Sequence, residues 1–165
     1  MNDIFEINKK NNSEIIRYTL FSLITVATSK TSDDYAWSSI KNILKKSEKN
    51  YHFLQYVAIG DLEDIDHTME DIKINSDINS IHPRDLGRAI QDIIDSLKTK
   101  LGKKAGYFFL DEFKSKLGEE YHSIIKSIGV DLRLIELQQQ IGGLRESGYQ
   151  LKDSKDSNIA FIKRE

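Results

Sequence analysis

The stretch SIHPRDLGRAIQDIIDSLKTKLG, residues 80–102, contains the clearest secondary-structure signal in the chain. Pro83 suits the first turn of a helix, where its missing N–H has no intrahelical partner in any case. Gly102 suits the position just past a helix end, where it can close the last turn. Between them the apolar residues recur at helical spacing: Leu86, Ala89, Ile90, Ile93, Ile94, Leu97 and Leu101. The stretch therefore predicts a long amphipathic helix.

From residue 101 onward, leucine or isoleucine precedes a glycine at four places: 101–102, 117–118, 128–129 and 141–142. Such a glycine is typical of a helix end. We therefore expect three shorter helices after the long one, with the stretch LGKKAGYFFLDEF, residues 101–113, as a joint between two of them. A phosphate-binding loop is not indicated, because the pattern GxxxxGK[ST] is absent.

The N-terminal half predicts two more helices, one after an N-cap at Ser13 and one after an N-cap at Ser32. The run YHFLQYVAIGDL, residues 51–62, fits a strand or a helix, and IKI at 72–74 could pair briefly as a strand. The fold class is mainly α, with about six helices. We expect a single domain over 1–165, a best-ordered helical core over 83–141, and flexible ends at 1–12 and 152–165. A small β element is expected near 53–74, at the C-terminal 148–163, or at both.

Composition limits the classes of function. The 165 residues include no cysteine, one proline and a net charge of −2. Disulfides and thiolate metal sites are thereby excluded, and the absence of cysteine fits a reducing compartment. The longest apolar run is shorter than the roughly 20 residues of a membrane helix. We expect a cytoplasmic protein with no membrane partner and no cofactor.

An acidic connector follows residue 60, and it contains the candidate metal ligands Asp61, Asp64, Asp66, His67 and Glu70. Carboxylates and a histidine can hold a cation, but the spacing is not that of an EF-hand. A solvated connector is the simpler interpretation. A metal- or small-ligand-dependent enzyme centred on 61–82 remains an alternative. No GxSxG elbow or cysteine nucleophile supports covalent catalysis.

A second alternative is a regulator that binds nucleic acid. Lys41, Lys45, Lys46 and Lys49 cluster on the second helix and its exit. Basic residues at that point also suit the negative end of the helix dipole, and the chain as a whole is almost neutral. Nucleic-acid binding is therefore not favoured.

The remaining feature is an apolar seam with steps of four and three residues, formed by Val130, Leu134, Leu137, Ile141 and Leu144. That spacing is the heptad rhythm of helices that pack on a partner. The uncharged residues 138–140, all glutamine, flank it. The sequence thus predicts a non-catalytic regulatory or scaffolding module that acts through protein–protein contacts, as a homodimer or with another protein.

Overall fold

The computed structural model describes residues 10–146 and confirms a mainly α fold with a small antiparallel sheet. These residues form five α-helices and two strands. In chain order they are α1 (Asn12–Lys30), α2 (Asp33–Ser47), β1 (Val57–Ile59), β2 (Ile72–Ile74), α3 (Pro83–Leu101), α4 (Phe109–Ser127) and α5 (Leu132–Glu146). Short 3-10 turns cover His52–Tyr56, Met69–Asp71, Ser76–Ser80 and Gly102–Ala105.

Helix α1 is the central element, and it packs against α2, α3 and α4. It begins earlier than predicted, since the N-cap is Asn11 and not Ser13. The Asn11 side chain accepts a hydrogen bond from the Glu14 N–H at 2.9 Å, and the Glu14 carboxylate accepts one from the Asn11 N–H at 3.1 Å. This reciprocal capping box satisfies two amide donors at the helix start, which a cap at Ser13 would not do.

Helices α2 and α3 begin where the sequence predicts. Ser32 caps α2, and the single tryptophan, Trp37, lies in its buried face with 1% of its surface exposed. Helix α3 starts at Pro83 and ends before Gly102, and its predicted apolar stripe is buried throughout.

The segment 51–62 combines a 3-10 turn with strand β1, so neither simple alternative describes all of it. Strand β1 pairs antiparallel with β2, with Val57 opposite Ile74 and Ile59 opposite Ile72. The β element expected near 53–74 is therefore present. The amide of Asn12 holds the following turn against α1 by donating to the carbonyls of Ile78, at 2.9 Å, and Ile81, at 2.7 Å.

The glycines predicted to follow helix ends at 102, 118 and 129 all have positive φ, of 57°, 86° and 110°. Gly118 divides α4 into two helical segments, which accounts for the sixth predicted helix. The expected stop at Gly142 is wrong, because α5 continues through 142 and 143 to Glu146. A glycine inside a helix costs only about 1 kcal/mol relative to alanine, so it does not by itself end one.

Contacts divide the chain into two units, residues up to Asp131 and residues from Leu132 onward. The first holds α1–α4 and the sheet, and the second holds α5. The predicted C-terminal β element at 148–163, the flexible end at 152–165 and most of the flexible start at 1–12 lie outside the described residues. Within residues 10–146, none of the helices has the length and apolar character needed to cross a membrane.

Candidate functional site

The second unit presents an exposed apolar ridge, which consists of Leu134, Leu137 and Ile141 on α5. Their exposed fractions are 46%, 53% and 46%. On the same helix Leu132 and Ile135 are buried, with 7% and 0% exposed. The helix thus has both buried and solvent-facing large apolar side chains.

Helical geometry places these two sets on opposite sides of α5. At about 100° per residue, the three ridge positions fall within an arc of about 60°. Around the helix axis, the mean position of the ridge is about 160° from the mean position of Leu132 and Ile135. One apolar face suffices for a helix that serves a single core, so a second, opposite face is surplus to folding.

The seam predicted from the sequence is longer than this ridge. Val130 lies in the first unit, before α5, and only 3% of its surface is exposed. Leu144 lies within α5, but its side chain is outside the described part of the structure. The ridge as the structure describes it is therefore the central three positions of the predicted five.

The acidic connector is an ordered loop, and Asp71 organises it. One carboxylate oxygen of Asp71 accepts hydrogen bonds from the N–H groups of Thr68, at 2.8 Å, and Asp66, at 3.0 Å. The bond from Thr68 is the largest cause that lowers the pKa of Asp71 below its usual range. Desolvation opposes it, and the bond from Asp66 lowers the pKa further. The charged carboxylate therefore stabilises the loop conformation.

His67 is held by this loop in an unusual conformation. Its φ is 63°, and it is the one non-glycine residue with positive φ among those described. Its ring packs edge-on against Trp37, with centroids 5.8 Å apart. The Nε2 atom is buried and has no hydrogen-bond partner among the described residues, since the Asp34 carboxylate 4.0 Å away is beyond hydrogen-bonding distance.

The candidate metal ligands are not brought together. Among residues 10–146, no three histidine or acidic side chains are grouped so that they could hold a metal ion. Asp61 instead lies 4.0 Å from the ammonium of Lys41, and the Asp64 N–H bonds to the Asp61 carbonyl. Asp66 and Glu70 are exposed. The loop geometry provides a structural role for Asp71, which the sequence reasoning did not single out.

The predicted basic cluster is spread along one helix and its exit. The Lys41 ammonium donates to the Gly60 carbonyl at 3.0 Å and so ties α2 to the end of β1. Lys45, Lys46 and Lys49 are exposed. Lys46 lines a surface cavity of about 460 Å³ between α2 and α3, which also includes Lys100 and Asp95. Nucleic-acid contact by these lysines stays a prediction.

A second exposed apolar feature lies in the first unit, and the sequence reasoning missed it. Tyr107 and Phe108 are 92% and 65% exposed, whereas Phe109 is fully buried. Phe108 is the N-cap of α4. Successive residues at a helix start point in different directions, so three adjacent aromatics cannot all face the core. The run of three adjacent aromatic residues at 107–109 was therefore a sign, in the sequence, that at least one ring is exposed.

A surface cavity of about 610 Å³ lies at the start of α2, where the connector passes over it. Its lining consists of Ser32, Asp34, Tyr35, Ser38, Leu62 and Glu63. The carboxylates of Asp34 and Glu63 make this cavity acidic, and Tyr35 and Leu62 supply apolar lining.

Comparison of the chain with protein-family models, curated proteins and solved structures finds no match.

Proposed function

We propose that this protein is a non-catalytic regulatory or scaffolding module that acts through protein–protein contacts, and that it forms a homodimer through the ridge on α5. The supporting observation is that Leu134, Leu137 and Ile141 are about half exposed on the face opposite the buried side of their helix. Large apolar side chains that are contiguous and solvent-facing mark an interaction surface.

A second copy of the chain fits this ridge for two reasons. The ridge follows the heptad spacing, with steps of three and four residues, which lets two such helices interlock along their length. In addition, a two-fold dimer requires one patch to complement itself, and a row of aliphatic side chains does so without matching charges.

The flanks of the ridge favour the same arrangement. Gln138 comes directly after Leu137 and lies about 70° from the direction of the ridge at 100° per residue. Amide side chains beside an apolar seam can hydrogen-bond across it, and they do not repel their copies as like charges would. We also place the protein in the cytoplasm, because a chain without cysteine suits a reducing compartment.

Sedimentation velocity over a concentration series tests this proposal. We expect the wild type to be mainly dimeric at tens of micromolar, which corresponds to a Kd of about 1 μM or lower. Leu137→Lys should shift it to monomer with its helical circular dichroism spectrum retained. Glu136→Gln changes the net charge by the same amount at an exposed neighbouring position and should leave the dimer intact. A wild type that remains monomeric at these concentrations would contradict the proposal.

A further inference from the structure

The turn that joins α3 to α4 displays an aromatic corner, which we define as Lys103, Lys104, Tyr107 and Phe108. The two rings stand 5.9 Å apart, and they are mostly in solvent, with exposed fractions of 92% and 65%. Gly106, with φ of 79°, makes the bend that precedes them. Two adjacent exposed aromatic rings are costly in water and are typical of a surface that another molecule covers.

The aromatic corner is basic, and it adjoins the acidic cavity at the start of α2. The Lys104 ammonium lies 5.7 Å from the centre of the Tyr35 ring, close enough for a cation–π interaction. Tyr35 also forms a wall of the cavity, with the carboxylates of Asp34 and Glu63 on the same lining. A positive aromatic projection and a negative concavity therefore lie side by side, in contact through Lys104 and Tyr35.

This arrangement disfavours a phosphate-rich partner at the aromatic corner. Asp34 is 88% exposed at its side chain, and Glu63 is also exposed. A nucleic-acid strand or an anionic bilayer that approached Lys103 and Lys104 would bring its phosphates near these carboxylates. A partner that itself offers both signs avoids that repulsion.

We infer that the aromatic corner of one copy docks in the acidic cavity of a second copy, and that this makes an interface independent of the ridge on α5. A two-fold axis near Tyr35 places the corner of each chain over the cavity of the other, so both contacts form at once. The lysines of one chain then face Asp34 and Glu63 of its partner, and the rings enter the cavity.

The sizes of the parts are compatible with this contact. The concavity of about 610 Å³ is open to solvent, with the Asp34 side chain 88% exposed, so an aromatic side chain can lie against its surface. Tyr107 and Phe108 together would bury roughly 300 Å². A standard interface buries about 800 Å² per partner. The contact is therefore smaller than a standard interface, with the two rings as its anchors, and we expect the association to be weak.

The test uses the full chain with Leu137→Lys, so that any dimer through the ridge is already removed. In this background we expect self-association that is detectable by sedimentation at about 100 μM and is weakened by salt, because opposite charges contribute to it. Phe108→Ser should raise the dissociation constant at least about tenfold. Glu136→Gln in the same background is the control and should change nothing.

A charge exchange between two chains identifies the pairing. Lys104→Glu alone and Glu63→Lys alone should each weaken self-association at least about fivefold, because each places like charges together. An equimolar mixture of the two variants should associate more tightly than either alone, since each new charge meets its opposite in the other chain. Melting temperatures of the separate variants establish that each is folded.

Three outcomes would overturn the inference. One is a monomer at 100 μM in the Leu137→Lys background. Another is a mixture of the two charge variants that associates no better than its components. The third is binding of phosphatidylserine vesicles or an oligothymidylate that requires Phe108 in the absence of self-association, which would assign the corner to a phosphate-bearing partner. The ridge is judged separately, by the effect of Leu137→Lys on the otherwise wild-type chain.

Discussion

A Cβ atom placed on Gly87 would lie 2.0 Å from the backbone oxygen of Ile128. The first turns of α3 therefore meet the end of α4 through main-chain atoms, at a distance that only glycine permits. This contact fixes the position of the end of α4 relative to α3.

Gly87→Ala should destabilise the protein by about 3 kcal/mol, at the upper end of the usual cost of overpacking. The obstructing atoms are the carbonyl carbon and oxygen of Ile128, so no flexible side chain can move aside. Urea denaturation would measure the loss. A change below about 0.5 kcal/mol, the range of neutral surface substitutions, would show that the two helices are not in such close contact.

Gly118→Ala should cost about 2 kcal/mol for a different reason. Gly118 has φ of 86° and ψ of 162°, a region that is almost restricted to glycine, yet a Cβ there would meet no atom within 4 Å. The loss would thus report backbone strain alone. Gly60→Ala is the matched control, because its Cβ would be 4.0 Å from the nearest atom and its φ is not positive. Equal melting temperatures for the Gly118 and Gly60 variants would count against the break in α4.

The Tyr51 hydroxyl should make the stability of the folded protein depend on pH in the alkaline range. Its O–H donates to the Asp92 carboxylate at 2.5 Å. Burial, followed by this hydrogen bond and the negative charge of Asp92, raises the pKa of Tyr51 from 10.0 to about 12. A raised folded-state pKa contributes stability that is present below pH 10 and is lost as the pH rises towards 12.

Denaturation midpoints of the wild type and Tyr51→Phe, measured from pH 9 to pH 12, would check this dependence. We expect the stability advantage of the wild type to shrink across that interval. Lysine deprotonation affects both proteins alike and cancels in the difference. An advantage that is constant over the interval would show that the bond to Asp92 does not couple folding to this proton.

Asp71 should make the stability of the folded protein depend on pH in the acidic range, where stability is lost as the pH falls. Its pKa is lowered below 3.8 in the folded protein, so its charged form contributes stability that is present at neutral pH and is lost as the pH falls through the folded-state pKa. Asp71→Asn should melt below the wild type at pH 7, and the gap should close as the pH falls below about 4. A gap of the same size at pH 7 and pH 3 would mean that the charge of Asp71 does not hold the loop.

The sequence predicted the regular elements well, because local signals determine them. Pro83 and Gly102 mark both ends of α3, and residues 72–74 pair with β1 as proposed. Features that depend on tertiary contacts could not be predicted from local sequence signals. Gly87 reads as an unfavourable residue in a helix until Ile128 is placed beside it.

The two candidate surfaces were likewise predicted only as far as local sequence signals allow. The heptad spacing identified the apolar positions of α5, but only the structure distinguishes the exposed Leu137 from the buried Ile135 two residues before it. The aromatic corner was missed because Phe108 and Phe109 look equivalent in sequence, whereas the start of α4 turns one outward and the other inward.

Disulfide trapping tests the ridge most directly, because the chain has no cysteine of its own. Leu137→Cys, Ile141→Cys and their equimolar mixture cover the parallel and antiparallel pairings of two α5 helices. A disulfide requires Cα atoms within about 7 Å of each other, so only facing positions react efficiently. Glu136→Cys, on an exposed position away from the ridge, is the control.

We predict that under mild oxidation at about 10 μM, above the Kd expected for the dimer, at least one of these three samples forms a covalent dimer much faster than the control does. If none of the three exceeds Glu136→Cys, the ridge does not face a second copy, and the proposal of a homodimer formed through α5 is contradicted.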